Sequence, residues 1–141
     1  MTPRRDVPPA LAAVLDAAPT IEAVDLLIAD NAGVLRGKRV PVDAIARVGA
    51  EGLRLPGSMF SMDATGSIVH GTGIVEEEGE RDRFCRPVEH SFAPVPWSDA
   101  GAGPTRAQAL ASMYEESGAP FFADPRQALA RVAARFGELK L

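Results

Sequence analysis

Residue types that form covalent cross-links or nucleophilic centres are scarce in this sequence. One cysteine, Cys85, and two histidines are present among 141 residues. A single cysteine excludes an internal disulfide. Because Cys85 has no catalytic companion at a recognisable spacing, we expect it to be a small buried apolar residue. His70 has no cysteine or carboxylate at metal-ligand spacing, which favours a surface position. The sequence therefore predicts no catalytic residue and no metal ligand.

Long apolar runs and an excess of positive charge are also absent. No stretch is apolar over the length needed to cross a bilayer, and no signal peptide is recognisable, so the cytoplasm is the default location. Lys and Arg number 15 against 19 Asp and Glu, and this net charge of −4 gives no electrostatic case for binding nucleic acid or an anionic membrane. The composition, 46% hydrophobic and 24% charged, is that of an ordinary globular domain.

The usual signatures of nucleotide chemistry are missing. The sequence contains no glycine-rich phosphate loop and no Glu-x-Glu strand pair that could hold a divalent cation beside a phosphate. Residues 76–80 are rich in glutamate, but consecutive carboxylates on an extended chain point to different sides, which favours a solvated loop. The chain is therefore not expected to activate a nucleotide by itself.

Strand patterns dominate the first half of the chain. Residues 21–28 carry apolar side chains on both faces and predict a buried strand, 30–33 predict a turn, and 34–40 the return strand of a hairpin. A helix is expected from Pro41, and this order is typical of a β-grasp layout. The return strand carries three basic residues, Arg36, Lys38 and Arg39. They predict a solvated, edge-protecting strand, with a subunit contact as the alternative.

The last part of the chain predicts a well-capped amphipathic helix. Asp124 has the properties of an N-cap, Pro125 suits the first helical position, and Gln127 completes a capping-box spacing. One apolar stripe that needs a covering partner follows, formed by Ala128, Leu129, Val132, Ala133, Phe136 and Leu139. Residues 106–116 suit a helix or a strand by spacing, and propensity alone favours the helix.

Several short motifs resemble, in the same order, the amino-terminal domain of the glutamine synthetase superfamily. They are Val24-Asp25-Leu26, Asp30-Asn31-Ala32-Gly33, the run from Arg36 to Pro41, Pro94-Val95-Pro96-Trp97, and the segment from Gly118 to Arg126 followed by Leu129. The resemblance covers roughly residues 20–141. It implies an α+β fold in which one or two helices pack on a β-grasp-like sheet and a further helix follows at the C-terminus. It also implies that 106–116 form a sheet strand.

The loop at 55–63 departs from the ammonia-using members of this family. Their loop typically carries an aspartate that reaches the neighbouring subunit's active site, where a carboxylate attracts ammonium and takes its proton. In this sequence Pro56 stands at that position, and proline can do neither. The loop instead resembles that of the γ-glutamylpolyamine synthetase branch, and a second segment, at 81–87, lies where the family approaches the intersubunit site. The predicted substrate-binding residues are Pro56, Gly57, Ser58, Asp82 and Arg83.

The resemblance implies a division into a lead and short helix at 1–20, a β-grasp domain at 21–123, and, at 124–141, a helix leading to a catalytic domain absent from this chain. The parent enzyme would join glutamate to an organic amine with ATP and Mg²⁺ or Mn²⁺, none of them bound by this domain alone. Its partners would be the catalytic domains of the same and the adjacent subunit in a homo-oligomeric ring, and the 55–63 loop would form one wall of the amine pocket.

Two other functions remain consistent with the residues. One is the corresponding domain of an ammonia-using glutamine synthetase in which another group replaces the lost aspartate. The other is a free-standing β-grasp module that binds a partner through a sheet edge. Asp82 and Arg83 are equally compatible with a surface ion pair. The pocket-wall hypothesis has a clear requirement: Gly57 and Ser58 must not lie deep inside the domain.

Overall fold

The computed structural model describes residues 7–99, 101 and 103–139, apart from the side chain of Glu78. Strands in this part of the chain are β1 (Ala23–Ala29), β2 (Leu35–Pro41), β3 (Leu53–Pro56), β4 (Asp82–Pro87), β5 (Ala93–Pro94) and β6 (Arg106–Tyr114). The α-helices are α1 (Pro9–Ala17), α2 (Ile45–Glu51), α3 (Ile74–Glu78) and α4 (Pro125–Glu138). Among these helices, none combines the length and apolar character needed to span a bilayer.

The strands form one sheet in the order β2–β1–β6–β4–β3, and β5 also pairs with β6. β6 is the central strand, because its first half pairs in parallel with β1 and its second half antiparallel with β4. The strand predicted from the family resemblance is thus confirmed, against the helix favoured by propensity. Burial explains the outcome: every second residue, from Ala107 to Met113, is at most 2% exposed and points into the core.

β1 and β2 form the predicted hairpin, and Asp30 organises its turn. Its carboxylate accepts hydrogen bonds from the backbone N–H groups of Ala32 and Val34 at 2.9 and 2.8 Å, and from Arg36 Nε at 2.7 Å. Burial by itself would raise the pKa of Asp30, but the hydrogen bonds from Arg36, Val34 and Ala32 outweigh it and hold the pKa below its ordinary value. The turn is therefore held by a charged carboxylate.

The core consists of two apolar clusters, which pack on different parts of the sheet. In the first, Leu11 and Leu15 of α1 and Ile45 and Val48 of α2 pack on strands β1, β2 and β6. In the second, Met59 and Phe60 of the 3₁₀ turn Gly57–Ser61 pack with residues of β3, β4 and β6, with Ile74 and with Phe121. Two helices packed on a six-stranded sheet, followed by α4, confirm the predicted α+β, β-grasp-like fold.

The two edges of the sheet approach each other, which gives it a nearly barrel-like shape. Lys38 Nζ on β2 donates to the backbone carbonyl of Arg54 on β3 at 3.2 Å. Arg36 Nη2 donates to the carbonyl of Asp63 at 3.0 Å, and Arg39 pairs with Asp25 at 2.7 Å. The basic residues of β2 were predicted to be solvated or to protect an edge. β2 is indeed an edge strand on which Lys38 and Arg39 are exposed, and all three basic residues also bind groups within the domain.

One helical segment differs from the sequence-based expectation, and a second agrees with it. Residues 76–80 were expected to be a solvated loop, but 74–78 form α3, flanked by Gly73 and Gly79 with φ of 80° and 65°. α4 begins at Pro125 with Asp124 as its N-cap, as predicted. Its apolar stripe, however, is left uncovered by the described residues: the exposed side chains are Leu129, Val132, Phe136 and Leu139.

Candidate functional site

The pairing of β3 with β4 brings the five predicted substrate-binding residues together at one end of the sheet. Pro56 lies directly opposite Asp82 in the antiparallel register, and Leu55 lies opposite Arg83. The 3₁₀ turn then begins at Gly57, whose N–H donates to the carbonyl of Arg81 at 3.1 Å. Two segments separated by a long stretch of sequence thus form one small region, which we call the β3–β4 end.

The members of this group differ sharply in their accessibility. Gly57, Ser58 and Arg83 are buried, whereas Pro56 is half-buried and Asp82 is exposed. The expectation that Gly57 and Ser58 face outward is therefore wrong for this chain, because Ser58 is only 1% exposed. In this conformation neither residue can contact a bound amine. Of the five predicted substrate-binding residues, only Pro56 and Asp82 are accessible for direct contact with a substrate. Their role in substrate binding stays a prediction.

Arg83 holds the inner side of the β3–β4 end together. Its guanidinium carbon lies 4.0 Å from the ring centroid of Phe121, a cation–π distance. Its Nε donates to both carboxylate oxygens of Glu115, at 3.2 and 3.1 Å. A Cβ added at Gly57 would lie only 2.2 Å from Arg83 Nη1, so a larger residue here would force the guanidinium to shift. Arg83 therefore supports the 3₁₀ turn from inside, which the sequence pattern did not predict.

Asp124 connects the start of α4 to the end of β6. It is fully buried, and its carboxylate accepts from the N–H of Arg126 and from the N–H of Met113, both at 2.8 Å. Gln127 was predicted to complete a capping box, but its Nε2 instead donates to the carbonyl of Met113 at 3.4 Å. Arg126 Nε reaches Ser112 Oγ at 3.3 Å. The Asp-Pro-Arg segment thus anchors the helix to the central strand.

The rim of the β3–β4 end carries both signs of charge. Glu116 pairs with Arg81 at 3.0 Å and lies 3.9 Å from Arg54. The guanidinium of Arg54 also covers the ring of Phe84, at 3.6 Å from its centroid. These exposed pairs contribute little to stability individually. Glu115, Glu116 and Phe121 were not among the predicted site residues. Phe121 lies within the segment from Gly118 to Arg126 that resembles the family, and that resemblance could have identified it as a candidate.

The remaining candidates from the sequence lie away from this region or are chemically inert. His70 is 82% exposed at its side chain and its Nδ1 lies 3.5 Å from Glu76 Oε1. Cys85 is fully buried, as predicted, and burial together with the nearby carboxylates of Asp124 and Asp82 raises the pKa of its thiol to about 12. Within the described residues, no group of three or more His, Cys, Asp or Glu side chains is arranged to hold a metal ion.

Comparison with curated proteins identifies relatives over most of the chain. Gamma-glutamylputrescine synthetase PuuA of Escherichia coli (strain K12) is 38% identical over 118 residues, which is 84% of this chain and 24% of that protein. Glutamine synthetase of Thermotoga maritima is 27% identical over 119 residues, also 84% of this chain and 24% of that protein. The chain belongs to the glutamine synthetase superfamily. It spans about a quarter of the length of these relatives and corresponds to the small amino-terminal domain of the superfamily.

Solved structures support this assignment at the level of the fold. A "novel glutamine synthase homolog" superposes with a TM-score of 0.71 at 21% identity, over 84% of this chain and 27% of that one. A structure described as a GmaS/ADP complex gives a TM-score of 0.68 at 27% identity, over 91% of this chain and 25% of that one. A structure of apo GmaS without ligand gives a TM-score of 0.65 at 28% identity, over 89% of this chain and 25% of that one. No protein-family model matches the chain.

Proposed function

We propose that this glutamine synthetase superfamily domain belongs to an ATP-dependent glutamate–amine ligase of the γ-glutamylpolyamine type. In the intact enzyme only its accessible residues at the β3–β4 end, Pro56 and Asp82, line the amine pocket of the neighbouring subunit, because Gly57 and Ser58 are buried. The domain also contributes to subunit contacts. The observation that carries the proposal is the loop at 55–63, whose resemblance to the family places Pro56 at the position of the aspartate that binds ammonium in ammonia-using members. Similarity to a gamma-glutamylputrescine synthetase, at 38% identity, supports the same substrate class.

The reaction proposed for the intact enzyme has two steps. ATP phosphorylates the side-chain carboxylate of glutamate, and the amine nitrogen then attacks the γ-glutamyl phosphate, forming the amide and expelling phosphate. The described residues do not fit a divalent cation, since they contain no cluster of suitable ligands. As the family resemblance implies, we assign ATP and Mg²⁺ or Mn²⁺ to the remainder of the enzyme. What this domain contributes is a shaped, rigid wall.

The rigidity of that wall follows from the buried contacts of the β3–β4 end. The turn at 57–61 is backed by the Arg83 guanidinium, which Glu115 and the ring of Phe121 hold on two sides. A wall that keeps its shape positions an amine without an ordering cost at the moment of binding. Replacing a carboxylate by Pro56 at the pocket also makes that surface less polar, which suits an alkyl chain better than ammonium.

The uncovered stripe of α4 provides the second contact that we propose. Leu129, Val132, Phe136 and Leu139 are each more than half exposed. Apolar side chains aligned on one helix face are normally buried against another element. We assign this face, and the segment 124–141 as a whole, to docking on the catalytic domain of the same subunit, so that the β-grasp domain at 21–123 reaches the adjacent subunit of a homo-oligomeric ring.

The test of this function is an assay of the intact enzyme for amine-dependent ADP release. Glutamate and ATP are supplied with ammonium, putrescine or other alkylamines, and kcat/KM is compared. The proposal expects putrescine or another organic amine to give the higher value. Faster turnover with ammonium would instead support an ammonia-using glutamine synthetase. A lack of ADP release with every nitrogen donor would favour the free-standing interaction module.

A further inference from the structure

The β1–β2 hairpin binds the 55–63 loop, which lies far from it in the sequence. Asn31 Nδ2 donates to the backbone carbonyl of Phe60 at 2.8 Å, across 29 positions of the chain. Arg36 Nη2 donates to the carbonyl of Asp63 at 3.0 Å, across 27 positions. The first carbonyl lies in the 3₁₀ turn Gly57–Ser61, and the second belongs to the last residue of the loop. Two side chains of the hairpin thus hold the second half of the loop.

Both donors are fixed by the buried carboxylate of Asp30. This carboxylate accepts from two backbone N–H groups of the turn that carries Asn31. It also accepts from Arg36 Nε at 2.7 Å, so the guanidinium that reaches Asp63 with one nitrogen is anchored by another. A Cβ added at Gly66 would lie 3.6 Å from Arg36 Nη1, an ordinary contact distance. The chain beyond the loop therefore also lies against this guanidinium.

The other contacts of this half of the loop fix its shape and the place of one side chain. Val69 N–H donates to the carbonyl of Ser61 at 2.7 Å, which joins the segment 61–69 to itself. The ring of Phe60 packs in the second apolar cluster. Apolar packing is non-directional, so the hydrogen bond from Asn31 is what fixes the orientation of the peptide group at Phe60. The hairpin therefore sets the direction in which the chain leaves the turn.

We propose that Asn31 and Arg36 are positioning residues of the amine pocket, which fix the second half of the 55–63 loop and, through the 3₁₀ turn, the place of Pro56 at its start. The inference rests on the proposed function, in which Pro56 lines the pocket. In this role neither hairpin side chain touches the substrate. The turn is only five residues long, so a shift at its end is passed on to Pro56. Misplacing a pocket group by about 1 Å can cost a large factor in rate.

Asn31→Asp tests the hairpin contact directly. The substitution keeps the size of an exposed side chain but removes its donor and sets a negative charge against the Phe60 carbonyl. Ala32→Asp is the matched control, since it adds the same charge at the next exposed position, where alanine contributes its backbone N–H to the turn. Hydrogen–deuterium exchange of the intact enzyme should be about three- to tenfold faster at 57–69 in Asn31→Asp, and within about twofold of the wild type in α1 and β6. Ala32→Asp should leave all three segments within about twofold of the wild type.

Kinetics of the intact enzyme test the consequence for the pocket. ADP release is measured while the concentration of putrescine and, separately, that of ATP is varied. We expect Asn31→Asp to raise the KM for putrescine about three- to tenfold and to leave the KM for ATP within about twofold, because ATP is assigned to the remainder of the enzyme. A general loss of stability would not separate the two constants. Arg36→Lys keeps a positive charge beside Asp30 but has no second arm for the Asp63 carbonyl, so it should act in the same direction.

The possible failures are distinguishable. Unchanged exchange at 57–69 in both Asn31→Asp and Arg36→Lys would overturn the inference and leave the proposed function intact. Faster exchange with an unchanged KM for putrescine would also overturn it, as would an equal effect of Ala32→Asp, because the cause would then be a diffuse effect of charge. If the wild type turns over ammonium faster than any organic amine, or releases ADP with no nitrogen donor, the proposed function falls and the amine-pocket role with it. Faster exchange confined to 57–69 would even then support the hold of the hairpin on the loop.

Discussion

Substituting Gly57 by alanine tests whether the buried turn depends on its contact with Arg83. The added methyl carbon would lie 2.2 Å from Nη1 and 3.3 Å from the guanidinium carbon of Arg83, and 3.5 Å from Phe121 Cζ. The guanidinium cannot retreat cheaply, since Glu115 holds its Nε and the ring of Phe121 lies against its face. Gly57 is not among the positive-φ glycines, so the penalty is steric rather than conformational.

We expect Gly57→Ala to lower the free energy of unfolding by about 1–3 kcal/mol, the usual cost of forcing extra volume into a packed site. Urea unfolding of the 141-residue chain, followed by circular dichroism, measures the change. In an Arg83→Met background the obstructing nitrogen is gone, and the same substitution should cost less than about 0.5 kcal/mol. Gly49→Ala is the matched control: its Cβ would lie at an ordinary 3.7 Å from Pro8 Cγ.

The control variant Gly49→Ala should stabilise the chain by about 0.5–1 kcal/mol, because Gly49 lies inside α2 and alanine is the better helix former. An identical cost of Gly57→Ala in the wild-type and Arg83→Met backgrounds would refute the reasoning. So would a cost below about 0.5 kcal/mol in the wild type, since it would mean that the guanidinium moves freely.

Three further predictions concern other parts of the chain. Asp124→Ala removes a helix cap and leaves the buried Met113 N–H without its acceptor, so urea unfolding should show a loss of about 2–4 kcal/mol; a loss below about 1 kcal/mol would contradict the anchoring role. The depressed pKa of Asp30 means that its stabilisation is present above the ordinary value of 3.8 and is lost as pH falls through the lower folded value. The stability difference between wild type and Asp30→Asn should therefore be largest near neutral pH and shrink in acid, and a difference unchanged at low pH would count against this. Leu129→Gln/Phe136→Gln should change the stability of the 141-residue chain by less than about 0.5 kcal/mol but lower the stability of the intact enzyme, as measured by urea unfolding; an unchanged stability of the intact enzyme would refute docking of α4 on the catalytic domain.

Local features of this domain were accessible from the sequence because their causes lie within a few residues. The turn at Asp30 depends on N–H groups two and four positions further along the chain. The cap of α4 depends on Asp124 and the amide two residues later. The same reasoning placed the hairpin, and the family resemblance placed β6 where propensity favoured a helix. In each case the determining contacts are either short-range or encoded by a recognised motif.

The tertiary structure alone decided which residues of the candidate site are accessible. Gly57 and Ser58 are buried because Arg83 and Phe121, distant in sequence, pack against the turn, and no local pattern specifies that approach. The register that sets Pro56 opposite Asp82 likewise depends on how two remote strands align. The stripe on α4 is the converse case. The spacing of its residues predicts an apolar face. Whether that face is buried depends on what packs against the helix, and the described residues leave it uncovered.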